Sequence, residues 1–288
     1  MSDLHAPLLE WYDANARDLP WRRPDATPWG VLVSEFMLQQ TPVARVLPVY
    51  DAWLARWPRP ADLADETSGE AIRAWGRLGY PRRAIRLHAA ATMIRDQHAG
   101  EVPDQFLALR SLPGVGDYTA SAVLAFAFGR RQPVLDTNVR RVQGRLVGGI
   151  EFPPPAVTVA EKALATDLLP VDEPTAATWS VAVMELGALV CTAASPRCDA
   201  CPVASSCAWR AAGYPAYDGP PRRGQAWSGT DRQCRGRLMS VARETAGPVG
   251  ARAMSRVWPD ARQRGRCLES LLEDGLLVRA GTGYALPT

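Results

Sequence analysis

Four of the six cysteines, Cys191, Cys198, Cys201 and Cys207, fall within seventeen residues in the pattern C-x6-C-x2-C-x5-C. The N-terminal stretch MSDLHAPLLEWYDANARDLP lacks the basic-then-apolar pattern of an export signal. The sequence also has no run of roughly eighteen apolar residues, the length a membrane span needs. A cytoplasmic protein is expected, and its thiols stay reduced, so four of them this close together read as a metal site rather than as disulfides. Zinc and a [4Fe–4S] cluster both accept four thiolates. The loop lengths are not the paired C-x2-C knuckles of a zinc ribbon, which favours the cluster. Cys234 and Cys267 stand apart from the group.

The 288 residues are 47% hydrophobic and 22% charged, a balance that excludes a wholly disordered chain and allows two modest domains. Net charge is only +3, but it is unevenly placed. Residues 1–207 carry 20 basic and 23 acidic side chains, whereas residues 208–288 carry 13 and 7. A basic tail on a near-neutral body suits a polyanion, most simply nucleic acid. Lys162 is the only lysine, so any chemistry that needs a lysine amine has one side chain available.

Hydrophobic periodicity predicts an almost entirely helical chain. Helices are expected over 4–16 and 28–38, and from an N-cap at Thr41 and Pro42 onward through Leu54. Thr67 and Glu70 read as a capping box, and Pro81 opens a helix that Gly100 closes. FLALRSL (106–112), PGVG (113–116) and DYTASAVLAFAFG (117–129) read as a helix, a tight turn and a second helix capped by Asp117. Further helices are expected over 137–147, 156–168 and 175–190. Residues 211–229, rich in Gly and Pro, read as a linker. Beyond them, helices over 231–246, 250–258 and 260–274 and a hairpin in LLVRAGTGYALP suggest a small winged-helix-like module over 230–288.

Several positions are able to carry chemistry, and each also has an ordinary structural explanation. In Leu112-Pro113-Gly114-Val115-Gly116, two glycines two apart before a helix let backbone N–H groups approach a phosphate; a lone G-x-G is usually just a turn. Glu35 lies on the buried side of the most apolar segment, where a raised pKa would suit a general acid, though a buried Glu paired with an Arg fits as well. Asp136 precedes a helix and reads as an N-cap, or as a carboxylate that stabilises a developing positive charge. Tyr118, Tyr80 and Gln40 read as packing or turn residues when taken singly.

Together, SEFMLQQTPVARV, RLGYPRRAIRLH, LPGVGDYTASAVLAFAFG, VLDTNVRRV and the cysteine pattern resemble the helix–hairpin–helix, Gly-Pro-Asp superfamily of DNA repair glycosylases, and within it the MutY-type adenine DNA glycosylases. The resemblance covers roughly residues 4–210. It implies an all-α, two-lobed glycosylase domain over 1–210 with an iron–sulfur loop at 191–207. It also implies a monomer acting on double-stranded DNA with adenine opposite 8-oxoguanine or guanine. Such enzymes flip the target base out of the stack. By resemblance Glu35 protonates adenine and Asp136 stabilises the oxocarbenium-like sugar, with Asn138 and Tyr118 in the same network. Gln40, with Thr41 beside it, and Tyr80 match residues that wedge into the duplex. Leu112, Gly114, Val115 and Gly116 match the phosphate-holding hairpin, and Arg197 is placed to contact phosphate. The four cysteines match the [4Fe–4S] ligands. Relatives that also cut the strand carry a lysine where this chain has Tyr118, so a monofunctional enzyme that leaves an abasic site is expected.

Two features depart from that pattern. Val181 stands where the family usually has Gln or Glu at the edge of adenine. The tail is also too short for the Nudix-like β-rich domain that recognises 8-oxoguanine in well-known members. A thymine or uracil mismatch glycosylase of the same superfamily is the nearest alternative, separated by Glu35, since a pyrimidine leaves as an anion. An iron–sulfur DNA-binding regulator would account for the tail and the cysteines but leaves Glu35, Tyr118 and Asp136 as coincidences.

Overall fold

The computed structural model describes residues 4–219 and 227–288. The chain forms two compact units: Met1–Val31, Asp104–Arg110 and Val115–Pro221 make the first, and Leu32–Pro103, Ser111–Gly114 and Arg222–Thr288 the second. These units cut across the expected division into a 1–210 body and a 230–288 module. No helix among the described residues is long and apolar enough to cross a membrane.

The first unit contains α1 (His5–Asn15), α8 (Asp117–Phe128), α9 (Thr137–Leu146), α10 (Val159–Asp167), α11 (Glu173–Leu189) and the short α12 (Ala208–Ala211), with most of α7 (Phe106–Ser111). Its core is built around α11, whose Trp179, Ala182, Val183 and Leu186 pack with Val139, Val142 and Leu146 of α9 and Leu8 of α1. Asp172 caps α11 by accepting the Thr175 N–H at 3.0 Å. A reciprocal box of Thr158 and Glu161 starts α10. Glu185 of α11, fully buried, is held by Arg17 and Arg22 at 2.7 and 2.9 Å. Burial would raise its pKa, but the Arg17 hydrogen bonds and the nearby Arg22 charge hold it below the usual range.

The second unit takes up most of α2 (Pro28–Leu38), then α3 (Val43–Arg56), α4 (Pro60–Ala64), α5 (Ser68–Trp75) and α6 (Arg82–Gln97). Trp53 meets Trp57 and Trp75 edge to face at 4.7 and 5.7 Å, so three indoles fill the space between α3 and α5. The tail belongs to this unit. It runs α13 (Asp231–Glu244), β1 (Val249–Gly250), α14 (Ala251–Val257), α15 (Ala261–Glu273), β2 (Val278–Ala280) and β3 (Gly283–Ala285). The strands form an antiparallel sheet in the order β1-β3-β2, with Val249 opposite Tyr284 and Arg279 opposite the same tyrosine. Arg82 pairs with Asp274 at 3.2 Å, and the Arg73 guanidinium donates to the Arg243 carbonyl. A Cβ at Gly69 would come within 2.1 Å of the Pro287 carbonyl, so that glycine admits the chain end. Cys234 and Cys267, far apart in sequence, are buried together on α13 and α15; burial pushes the Cys234 thiol up to about 12.

Three expected caps are corrected. Thr41 does not cap α3: the capping position is Pro42, and the Thr41 hydroxyl turns inward to the Leu78 carbonyl at 3.2 Å. Asp117 is the first residue inside α8, where its carboxylate pairs with Arg110 at 2.6 Å; Gly116 holds the capping position. Thr67 does accept the Glu70 N–H, but the Glu70 carboxylate is drawn off to Arg73 and Arg56 at 2.9 Å each, so the box is only half made. In the expected linker, residues 220–226 lie outside the described residues. The part before them is tied down: Trp209 donates to the Pro215 carbonyl at 2.8 Å, and the Tyr217 N–H to the Glu151 carboxylate at 2.7 Å.

Gly114 sits at φ 85°, and a Cβ there would lie 2.9 Å from both the Arg86 Cβ and the Phe36 ring. Gly114→Ala is therefore expected to cost about 1–3 kcal/mol from backbone strain and crowding together. Urea unfolding of the variant beside the unmutated protein measures it.

Candidate active site and cysteine loop

Glu35 lies on α2, a helix started by Thr27, whose hydroxyl accepts the Gly30 N–H at 3.1 Å. The helix is apolar almost throughout, and its residues from Trp29 to Met37 are buried, Glu35 at 5% exposure. The expected buried position for this carboxyl is the observed one. At the end of the same helix the chain turns through Gln39, Gln40 and Thr41. Gln40 is exposed, with φ 54°. Thr41, expected at the DNA face, is buried instead. Its hydroxyl accepts from Arg83 at 3.1 Å and approaches the Leu78 and Gln39 carbonyls. Tyr80, on the turn between α5 and α6, is 48% exposed with φ 47°.

In the first unit, Asp136 is the N-cap of α9 and accepts the Val139 N–H at 2.6 Å. Its other oxygen accepts the Asn138 side-chain amide at 2.8 Å. Both oxygens of one carboxylate are thus oriented by residues two and three positions on. Burial pushes the Asp136 carboxyl above its ordinary range, while the hydrogen bonds from Val139 and Asn138 and the Arg141 charge pull the other way. Asn138 Oδ1 accepts from Arg141 at 2.9 Å. Arg141 also donates to the carbonyls of Gly187 at 2.6 Å and Cys191 at 2.8 Å. Gly187 is required here, because a Cβ would lie 2.7 Å from the Asn138 Cβ. Tyr118, one residue into α8, packs on Ala122, Ala125 and Val134 with Phe126 and Met184 alongside. Val181 is half-buried on α11.

The hairpin residues divide by burial. Leu112 and Val115 are buried, so any contact they make with a phosphate runs through the backbone; Gly114 and Gly116 are exposed. Arg110 donates to the Val115 carbonyl at 3.0 Å while pairing with Asp117, which braces the start of α8. Lys162, the one lysine, is brought to 3.5 Å from the Asp117 carboxylate and is exposed there.

Cys191, Cys198, Cys201 and Cys207 line one pocket together with Arg145, Arg197 and Arg210. Arg145 donates to the Cys191 sulfur at 3.4 Å and to the Thr192 and Ala193 carbonyls at 2.8 and 3.2 Å. Its guanidinium lies 4.6 Å from the Trp209 ring. Burial raises Cys191 and pushes Cys201 up to about 11. Among the described residues, no three His, Cys, Asp or Glu groups approach closely enough to hold a single metal ion. Arg197 is exposed, and part of its guanidinium is spent on the Leu189 carbonyl. Arg83, Arg141, Arg145 and Gly187 were missed in the sequence. Arg83 lies in the GYPRRAIRLH segment and Arg141 in VLDTNVRRV, so these two fall within motifs, whereas Arg145 and Gly187 lie outside every one.

Residues 33–164 match the HhH-GPD superfamily base excision DNA repair protein family. The adenine DNA glycosylase of Mycobacterium tuberculosis is 54% identical over 97% of this chain and 92% of its own length. The adenine DNA glycosylase of Homo sapiens is 41% identical over 69% of this chain and 38% of its own length. The fold is similar to a solved thermostable thymine-DNA glycosylase, with a TM-score of 0.67 at 26% identity, covering 73% of this chain and 96% of that one. With 54% identity to an adenine DNA glycosylase over 97% of its length, the chain belongs to the adenine DNA glycosylase family of the HhH-GPD superfamily.

Proposed function

We propose that this protein is a monofunctional DNA glycosylase that removes adenine mispaired with 8-oxoguanine or guanine from double-stranded DNA, acting as a cytoplasmic monomer and leaving an abasic site. The observation that carries the reading is the pair of carboxyl groups in unlike settings, Glu35 buried in an apolar helix and Asp136 held by two N–H donors, in a chain closely related to adenine glycosylases. Leaving as a neutral base requires a proton on an adenine ring nitrogen, and Glu35 supplies it. The sugar left behind carries positive charge, which the Asp136 carboxylate stabilises with its geometry fixed by Val139 and Asn138. Opposed protonation states of two carboxyls are the working arrangement of glycoside hydrolysis.

Gly114 and Gly116 hold a phosphate through backbone N–H groups, and Arg197 offers its remaining N–H groups to another. Gln40 and Tyr80 enter the duplex beside the mispair. Tyr118 stands where strand-cutting relatives have a lysine. Lys162, the one lysine, is exposed in an ion pair with Asp117, so no amine is assigned to attack the sugar. The tail, with its helix, strand, two helices and hairpin, is read as a winged-helix-like module. A thymine mismatch glycosylase remains the second reading, favoured by the fold similarity to a thymine-DNA glycosylase.

The cysteine pocket suits a [4Fe–4S] cluster. One zinc ion with bonds of about 2.3 Å needs its sulfurs nearly in contact. Here the thiols surround a pocket without such an approach, and three arginines offset the anionic charge a cluster brings. When bound, the cluster supplies cross-linking of the 191–207 loop; base excision itself needs no electrons.

Single-turnover cleavage of labelled duplexes carrying A opposite 8-oxoguanine, A opposite G, and T opposite G decides the substrate. Strand cutting at A that appears only after alkali is expected, and cutting at T instead would move the protein to the second reading. Glu35→Gln should lower the rate on the A duplexes by ~10²-fold or more while leaving DNA binding in place.

Asp136→Asn separates stability from activity. A carboxyl raised by burial favours its protonated form in the folded state. Its contribution to stability is therefore full below the unfolded carboxylate pKa and is lost as pH rises through the folded one. At neutral pH the ionised group is a burden. Asn keeps the cap to Val139 but sets its amide NH2 against the Asn138 amide in place of the second oxygen, which offsets the relief of the buried charge. The variant should therefore melt near the unmutated protein at pH 7 while losing excision by ~10²-fold or more. In the unmutated protein, the acid limb of the excision rate should lie above the ordinary Asp range. Cys198→Ser should abolish the visible absorbance and reduce bound iron and acid-labile sulfide, and proteolysis should then cut within 187–210; unchanged iron content would refute the ligand assignment.

A further inference from the structure

Arg83, on the first turn of α6, is buried, and no carboxylate pairs with it among the described residues. Its partners are main-chain oxygens and one hydroxyl. Nη1 lies 2.8, 3.2 and 2.6 Å from the carbonyls of Phe36, Met37 and Gln39, and Nη2 donates to Thr41 Oγ1 at 3.1 Å and the Gly79 carbonyl at 3.2 Å. One guanidinium therefore ties the turn after α2 to the turn before α6, two segments forty residues apart in the chain. It collects the carbonyls that α2 leaves unpaired at its C-terminus, where a cation is favoured.

Each of those turns exposes one side chain from a backbone that L residues adopt at a cost: Gln40 at φ 54° and Tyr80 at φ 47°. Arg83 grips the residues immediately before both of them, Gln39 and Gly79. The Tyr80 ring lies 5.4 Å from the guanidinium on one side, and the Trp75 ring at the same distance is the other aromatic contact. Trp75 Nε1 adds a second donor to the Gly79 carbonyl at 3.0 Å, and the Thr41 hydroxyl reaches Leu78 at 3.2 Å. A residue needed only to fill the core would not require the two terminal nitrogens of a planar guanidinium aimed at both turns, with Nε left without a partner among the described residues.

We propose that Arg83 is a positioning residue that presets Gln40 and Tyr80, on their two left-handed turns, as a rigid two-pronged wedge for the mispaired duplex. The inference rests on the reading of the protein as a base-flipping glycosylase. It deepens that reading by assigning the wedge's rigidity to one buried cation. The prongs enter the stack without first paying to be ordered, so Arg83 governs opening of the pair and not the bond-breaking step.

The test compares two substrates for the full cluster-loaded protein: adenine opposite 8-oxoguanine, and adenine opposite a tetrahydrofuran abasic analogue, where no partner base has to be displaced. Arg83→Lys keeps the charge without the fork, and Arg83→Gln removes both. Each should slow single-turnover excision by ~10-fold or more on the paired substrate and by less than about threefold on the unpaired one. Added to a Gln40→Ala/Tyr80→Ala background, Arg83→Gln should cause no further loss, since there is no wedge left to hold. Equal losses on both substrates, or multiplicative effects in the combined variant, overturn the proposal. Thr41→Val, which removes a single acceptor from the network, is the milder variant if the arginine substitutions do not fold, and it should show the same selective loss. Unmutated protein inactive on both substrates would instead overturn the functional reading itself, a result separable from equal losses in an active background.

Discussion

A guanidinium taken out of water costs several kcal/mol unless its N–H groups find acceptors. In this protein the acceptors at three critical points are main-chain carbonyls. Arg83 takes the carbonyls ending α2 and those of the α5–α6 turn. Arg141 takes those of Gly187 and Cys191 at the end of α11, and Arg145 takes Glu151, Thr192 and Ala193. Each closes a helix end or a loop entry that would otherwise leave polar groups unpaired. A lysine carries its three donors on one nitrogen and lacks the spread of two terminal nitrogens by which each guanidinium spans two segments. Breaking one of these forks leaves a buried charge and several orphaned carbonyls together, so each arginine fixes a local geometry all or none.

The same economy of groups shows at Asp136. Its two oxygens are the cap of α9 and the acceptor for Asn138, and Asn138 in turn receives Arg141, which holds the carbonyl of the first loop cysteine. A carboxylate fixed in this way has little freedom to reorient, which is what stabilising a short-lived cation demands. The arrangement carries a cost in stability, since burial works against the ionised form. A cap and a charge stabiliser need the same lone pairs in the same place, so the cap at Asp136 is compatible with the role proposed for it.

How much of this was legible follows from where the partners of each residue lie. The apolar run of α2 and the caps at Asp136 and Asp172 depend on neighbours within four positions, and α2 and Asp136 were placed correctly from sequence. Thr41, Asp117 and Glu70 carry the same local signals, but a distant arginine competes for each of them. Arg83 takes Thr41, Arg110 takes Asp117, and Arg56 joins Arg73 on Glu70. Local capping chemistry loses at these three positions, whereas the Thr158–Glu161 box survives although Arg140 of α9 reaches Glu161 at 2.7 Å. Arg83 stands in a motif, but its role and that of Arg145 stay hidden because carbonyl partners carry no sequence identity. Gly187 was silent because a mid-helix glycine reveals its purpose only when the helix it touches is known.

The tail shows a different limit. Its basic composition pointed to a polyanion, and its three helices and closing hairpin were legible from periodicity and turn residues, though the strand β1 was not. Its place in the second unit was not. That place depends on a missing Cβ at Gly69, on Arg73 reaching the Arg243 carbonyl and on Arg82 reaching Asp274. Arg73 lies near the end of α5 and Arg82 at the start of α6, so the tail is fastened on both sides of the turn that carries Tyr80. Arg83 holds that turn from within the core. These contacts anchor the tail to the two helices that flank the Tyr80 turn. Net charge is therefore a poor guide to what the tail does for the rest of the unit, and the contacts it makes with α5 and α6 are the better one.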